Sequence, residues 1–171
     1  MNLRYAVYDT PCGNVTLIAK EKALCRLIYG VYDPFDAINE ENTSLFDGIM
    51  ELNQYFFGQR RNFDVKIDPD GTPFEKKVWE YVLSIPYGHT KTYEEVAIAI
   101  GEPQASRAIS NALARNPLPL FIPCHRVIGK DNDFGSYIGG VELKKKLLAL
   151  ESATLAKEFR PGSFSSLGAQ N

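Results

Sequence analysis

Residues 116–129, N-P-L-P-L-F-I-P-C-H-R-V-I-G, decide how the rest of the chain is organised. Pro117, Pro119 and Pro123 fix φ and exclude helix across most of the stretch. Between them Leu120, Phe121 and Ile122 make an apolar run too short for a helix and suited to buried extended chain. Into that setting fall Cys124, His125 and Arg126, side by side. A thiol next to an imidazole and a guanidinium is an environment expected to lower a cysteine pKa and give a thiolate. In a continuous strand Cys124 and His125 would face opposite ways, so sharing a site requires the chain to turn at Pro123. A buried, inert cysteine is the plainer alternative. It fits poorly with a histidine and an arginine next door, which a dry core does not accept unpaired.

The chain has 171 residues, enough for one medium domain or two small ones with a buried core. No apolar run approaches the ~20 residues of a membrane span. Met1, Asn2, Leu3, Arg4 and Tyr5 do not open a signal peptide, so a cytoplasmic protein is expected (nuclear if the source is eukaryotic). Cys12, Cys25 and Cys124 are an odd count with no disulfide-framework spacing. With His89 and His125 as the histidines, no zinc spacing appears, and no metal or cofactor is expected.

The net charge of −2 argues against a broadly basic nucleic-acid binder. Its distribution says more. Residues 1–72 hold 7 Lys/Arg against 11 Asp/Glu, whereas residues 73–151 hold 10 against 9. Between Pro103 and Lys130 stand Arg107, Arg115, Arg126 and Lys130 with no acidic residue at all. That is a local basic face of the size of a small phosphate footprint.

In chain order, residues 5–9 and 15–19 read as a hairpin turned at Pro11 and Gly13, and residues 23–29 as a third strand. Residues 33–42 are polar and read as loop. Thr43 and Ser44 cap a helix over 45–57 with Leu45, Ile49, Leu52 and Phe56 on one stripe. Residues 63–67 alternate as an edge strand. The first 70 residues thus form a small α+β unit without visible chemistry, chiefly structural in role.

The pattern changes at residues 69–73. Thr72 and Pro73 open a helix over 74–84 with Phe74, Val78, Trp79 and Val82 inward. Thr92, with Glu95 in capping-box position, opens another over 93–100. Gly101 and Pro103 break it, and a third runs from 104 or 105 to 114. Two helices around a Gly-containing turn fit a helix-turn-helix, and equally an ordinary packed helical hairpin. Arg107, Ser110 and Asn111 share one face, with Ile109 and Leu113 inward. After a loop at 130–135, Gly139 and Gly140 suggest backbone held close to a ligand or another chain. The last helix covers 141–151, with Leu143, Leu147 and Leu150 buried. Glu151 ends it, where the macrodipole disfavours a carboxylate, so it needs a partner such as His125. Residues 152–171 read as a mobile tail.

Asn116-Pro-Leu-Pro, Ile122-Pro-Cys-His-Arg-Val, Tyr137-x-Gly-Gly and Leu147-Leu-Ala-Leu-Glu together resemble the O6-alkylguanine-DNA alkyltransferases. The resemblance runs from about residue 72 to 151, without a gap from Tyr93 onward. It implies an α+β protein in two domains, 1–70 and 73–151. The first would be a short antiparallel sheet plus helix, the second mostly helical with a winged-helix-like helix-turn-helix. It also implies a monomer that flips O6-alkylguanine out of double-stranded DNA through the minor groove and takes the alkyl group irreversibly on Cys124.

On that resemblance His125 would be the base acting through a water, Glu151 its orienter, and Asn116 the holder of the turn. Tyr137 would donate to the guanine ring, and backbone near Val127 and Ile138 would read the base edge. Arg107 would fill the gap left by the flipped nucleotide, and Tyr93 would press on the adjoining phosphate. Glu94, Ser106, Ser110, Asn111, Arg115 and Lys130 would complete the DNA face, with the third helix in the groove. Three positions depart from the pattern: Ser110 stands where many relatives have Gly, Ile138 replaces a small polar residue, and the zinc ligands of some relatives are not reproduced.

Other classes remain to be distinguished. A non-catalytic sensor of alkyl damage would resemble this chain but lack the cysteine. A Cys–His hydrolase would need an oxyanion hole and turnover. A regulator sensing electrophiles through Cys124 would need an effector domain, and none is visible.

Overall fold

The computed structural model describes residues 2–131 and 133–158. Strands β1 (Leu3–Thr10), β2 (Gly13–Ala19) and β3 (Leu24–Tyr29) form the expected antiparallel meander. A short strand β4 (Ala37–Asn39) then pairs in parallel with β1, so the sheet is mixed, in the order β3-β2-β1-β4. It falls inside the stretch read as loop. Three residues are too few to show an alternation, and the free edge of β1 recruits them.

The expected edge strand over 63–67 does not form. Only Ile67 bridges to Leu24. The alternation there reflects Phe63, Val65 and Ile67 packing on the core. The backbone N–H groups of Asp64 and Val65 donate instead to Glu51 Oε1, at 2.7 and 3.1 Å. A side chain thus takes bonds a neighbouring strand would have made.

Helix α1 (Thr43–Phe56) starts two residues before the expected 45, and its cap lies one residue before the expected Thr43. Asn42, among the best capping residues, accepts from Leu45 N–H at 2.9 Å. Its buried stripe is Leu45, Ile49, Leu52 and Tyr55. Helix α2 (Pro73–Leu83) carries a capping box of Thr72 and Glu75, and its Trp79 Nε1–H donates to the Ala112 carbonyl at 2.9 Å. A two-residue strand β5 (Lys91–Thr92) leads into α3 (Tyr93–Ala99), which has the expected Thr92 and Glu95 capping box. Helix α4 (Ser106–Ala114) follows, with Ile109, Ala112 and Leu113 buried.

The proline-rich stretch is buried as expected but not extended. Pro119 bridges to Ile122 around a tight turn in which Leu120 has φ of 78°. A 3-10 helix, Cys124–Arg126, then leads into β6 (Val127–Ile128), which pairs in parallel with β5. The last helix, α5 (Val141–Glu158), runs well past the expected end at 151. Glu151 is therefore mid-helix, and the macrodipole argument for its partner does not apply. Residues 152–158 of the expected tail are helical, and its remainder, 159–171, lies outside the described residues. One apolar core joins Leu17 and Leu24 of the sheet to Leu45, Val78, Ile109, Phe121 and Leu147. Among the described residues no helix is long and apolar enough to cross a membrane.

Gly88 makes the close approach to α5 that the site requires. It has φ of 79°, and a Cβ there would lie 2.1 Å from Leu155 Cδ1. Gly88→Ala is expected to lower stability by about 2–4 kcal/mol, through left-handed strain and overpacking. Urea unfolding checks this; an unchanged midpoint would mean the turn is free to move away.

Candidate active site

The surroundings of Cys124 are built by Asn116, which is 1% exposed. Its Nδ2 donates to the Ile122 carbonyl at 2.9 Å and to Cys124 Sγ at 3.1 Å, and its Oδ1 accepts from Leu118 N–H at 2.9 Å. One amide thus ties both arms of the Leu120 turn to the sulfur. The 3-10 helix after Pro123 supplies the turn that a shared site needs.

Cys124 is buried, and burial pushes its thiol up to about 11, against the smaller effects of Asn116 and Lys144. That overturns the expectation of a lowered cysteine pKa. Arg126 is spent elsewhere, and burial pushes the His125 imidazole below its ordinary range. At neutral pH the sulfur is a protonated thiol that needs a base.

Glu151, on α5, accepts five hydrogen bonds from four residues. Gly88 N–H and Arg126 Nε reach Oε1, both at 2.9 Å. His125 Nε2 and the Tyr55 hydroxyl reach Oε2, both at 2.6 Å, and Arg126 NH2 reaches it at 3.1 Å. Burial alone would push this carboxyl up, but His125 and Arg126 outweigh it and hold it at about 2. An ionised carboxylate can only accept, so His125 Nε2 carries the proton. His125 Nδ1 is then a lone-pair acceptor, buried and without a partner among the described residues. Arg126, read from the sequence as part of a basic surface, is instead 5% exposed and committed to Glu151.

Cys124 opens on a cavity of about 140 Å³ lined by Tyr93, Ser110, Ser136, Tyr137 and Ile138 among others. The Tyr137 hydroxyl stands 2.7 Å from that of Tyr29 on β3. Gly139 passes so close to Tyr29 that a Cβ would lie 2.8 Å from its ring. Lys144, 1% exposed, donates to the carbonyls of Val127 at 2.6 Å and Ser136 at 3.3 Å. Burial brings its amine down to about 8. A larger cavity of about 510 Å³ lies behind Tyr29, against α5, and holds Cys12 with no histidine or carboxylate beside it. Size alone would have chosen it; the cysteine adjoining a histidine and a carboxylate lines the smaller one.

Of the residues assigned to a DNA face, Arg107 and Asn111 are exposed on α4, with Ser106 and Ser110 half-buried beside them. Tyr93 begins α3 at the cavity mouth. Arg115 pairs with Glu75 at 3.1 Å and Lys130 with Glu94 at 2.8 Å, so the basic face is smaller than its sequence suggested. Among the described residues no three His, Cys, Asp or Glu stand together to hold a metal.

Tyr29, Tyr55 and Lys144 escaped the sequence reading. Tyr55 extends the Leu45, Ile49, Leu52 stripe by one more helical step. Lys144, Leu147 and Glu151 form a buried row on α5, at spacings that a helical count recovers. Tyr29 left no such signal, since it meets Tyr137 across 108 residues.

This arrangement defines a protein whose buried thiol faces a pocket beside a histidine oriented by a carboxylate. Comparison with known proteins gives the class a family. Residues 73–153 match the DNA-binding domain of 6-O-methylguanine DNA methyltransferase, and residues 3–69 match the ribonuclease-like domain of the same family. A methylated-DNA–protein-cysteine methyltransferase of Methanosarcina barkeri is 41% identical over 88% of this chain and 98% of its own. The constitutive Bacillus subtilis protein of that name is 37% identical over 86% and 94%. The crystal structure of Mycobacterium tuberculosis OGT in complex with DNA superposes with a TM-score of 0.83 at 36% identity, covering 88% of this chain and 94% of that one. The chain belongs to the O6-alkylguanine-DNA alkyltransferases, enzymes named methylated-DNA–protein-cysteine methyltransferases.

Acid should loosen the site from both partners. His125, held below its ordinary 6.5, stays neutral in the fold while the unfolded chain takes up a proton, so stability falls as pH drops below about 6.5. Glu151 adds stability that is complete above its unfolded value of 4.5 and is lost as pH falls toward about 2. Glu151→Gln should cost about 3–5 kcal/mol at neutral pH by stranding Arg126, and should remove the part of the acid limb below 4.5 while leaving the His125 part, because burial still holds that imidazole down. Urea midpoints across pH 3–7 (a range of about four units) check both; a limb equally steep below 4.5 in the variant would contradict the assignment to Glu151.

Proposed function

We propose that this protein repairs DNA once per molecule, moving the alkyl group of an O6-alkylguanine onto Cys124 Sγ. The observation that carries the proposal is a buried thiol at the wall of a pocket, next to a histidine whose Nδ1 has no partner. Family membership supplies the substrate class.

The thiol proton passes through one water to His125 Nδ1, and the imidazolium so formed is stabilised by Glu151. Sulfur attacks the alkyl carbon, the carbon–O6 bond breaks, and the bonding pair stays on the guanine. Tyr137 donates a proton to the ring, so guanine leaves neutral, and the proton held by His125 restores the phenol through solvent. The thiol's proton ends on guanine and the alkyl group on sulfur. Regenerating Cys124 would require a further nucleophile to take the alkyl carbon and expel a thiolate, and the site supplies none, so the reaction does not turn over.

Reaching Cys124 requires the base to leave the stack, because the pocket lies beyond the first residue of α3. Arg107 fills the gap in the duplex, Tyr93 presses on the adjoining phosphate, and α4 lies in the minor groove as the second helix of a winged helix-turn-helix. Ser106, Ser110 and Asn111 suit that approach because their side chains are short. Glu94, Arg115 and Lys130 border the same face, and backbone near Val127 and Ile138 reads the base edge. Residues 73–151 carry the acceptor and DNA contacts, and residues 1–70 support them.

Incubation with a duplex carrying O6-methylguanine is expected to add one methyl to the peptide containing Cys124, and no second equivalent. An unmodified peptide with tight DNA binding would overturn the proposal in favour of a damage sensor. Cys124→Ala should abolish transfer and keep DNA affinity. Arg107→Ala should slow repair of the duplex at least about tenfold more than reaction with free O6-benzylguanine, because only the duplex demands extrusion. Equal losses on both substrates would remove Arg107 from that role.

A further inference from the structure

Tyr55 belongs to α1, far in sequence from the nucleophile, yet its hydroxyl ends between the base and its orienting acid. It is 1% exposed, donates to Glu151 Oε2 at 2.6 Å, and stands 3.5 Å from His125 Nε2. His125 Nε2 reaches the same oxygen, also at 2.6 Å. We propose that Tyr55 is a positioning residue for the base: its hydroxyl shares Glu151 Oε2 with His125, which limits how strongly the carboxylate attracts a second proton to Nδ1. This rests on His125 being the base of the alkyl transfer.

The Tyr55 hydroxyl and the His125 imidazole compete for a single oxygen. A carboxylate that accepts an extra hydrogen bond has less negative charge to offer its other donors. Without the Tyr55 hydroxyl, Oε2 would keep only His125 and Arg126 NH2, and the imidazolium would become easier to form. Arg126 and Lys144 disfavour the imidazolium by charge. Tyr87 packs on Tyr55 with ring centroids 6.0 Å apart, and Tyr137 packs on His125 at 6.4 Å. Cys124 adjoins as a neutral thiol. Burial and the neighbouring Glu151 charge push the Tyr55 phenol up, so it remains a donor throughout the range where His125 titrates.

The position also explains why a residue of the N-terminal half serves the site. Tyr55 is held by Phe63 at 5.7 Å and Phe56 at 5.5 Å, both from that half. Its hydroxyl therefore reports the seating of the N-terminal half directly to the base. A tyrosine that only filled space would have no effect on proton affinity.

Tyr55→Phe keeps the ring and removes the hydroxyl. The test follows the His125 ring nitrogens by NMR against pH, in a chain whose other histidine, His89, is exposed. The His125 midpoint is expected to rise by about one pH unit, and the acid limb of alkyl transfer to move with it. Tyr87→Phe, whose lost hydroxyl bonds neither partner, should leave the midpoint in place. A fluorinated tyrosine at position 55, a stronger donor, should move it the other way, and serves if Tyr55→Phe does not fold. An unmoved midpoint in the first or third variant overturns the proposal, as does an equal rise in Tyr87→Phe. A wild-type protein that never accepts an alkyl group would remove the proposed function, while the midpoint would still decide the role of Tyr55.

Discussion

The structure depends on one buried carboxylate. Stripping an ionised carboxyl of water costs several kcal/mol, and a pair of charges repays that only when every lone pair is used. Glu151 meets the condition with donors from α1, the Gly88 turn and two residues of the 3-10 helix. Each donor is therefore a constraint on where its segment can lie. The carboxylate holds the segment bearing the nucleophile against α5 and the N-terminal helix against both.

The same bonds divide the chemistry between neighbours. Arg126 neutralises Glu151 and so cannot stabilise a thiolate at Cys124, and burial leaves that thiol protonated. His125 is neutral, with one nitrogen committed and the other free. On the proposed function, a nucleophile activated on demand suits a protein that reacts once, since a standing thiolate would be exposed to any small electrophile. The tight turn at Leu120 and the Asn116 amide keep the sulfur in place while the pocket remains small.

Much of this was legible in the sequence, for identifiable reasons. The N-cap at Thr72 and the capping box at Thr92 are local, and so were read in place, although the Glu75 half of the Thr72 box was not. The pairing of His125 with Glu151 was anticipated, although from a helix end that does not exist. Arg126 was misassigned because charge counted along a chain carries no information about burial. The strand expected at 63–67 failed because Glu51 took its backbone donors, a contact that no periodicity records. The Tyr29–Tyr137 pair was out of reach for the same reason, since only the packing of the two halves creates it.

The central claim is that Glu151 is ionised and holds a neutral His125 with its proton on Nε2, leaving Nδ1 to take the thiol's proton. Nitrogen NMR of the labelled, unreacted protein at neutral pH tests it most directly, because the two ring nitrogens differ in shift when only one is protonated. The account predicts a protonated Nε2 and a bare Nδ1 for His125. A proton on Nδ1, whether in the other tautomer or in an imidazolium, would contradict it.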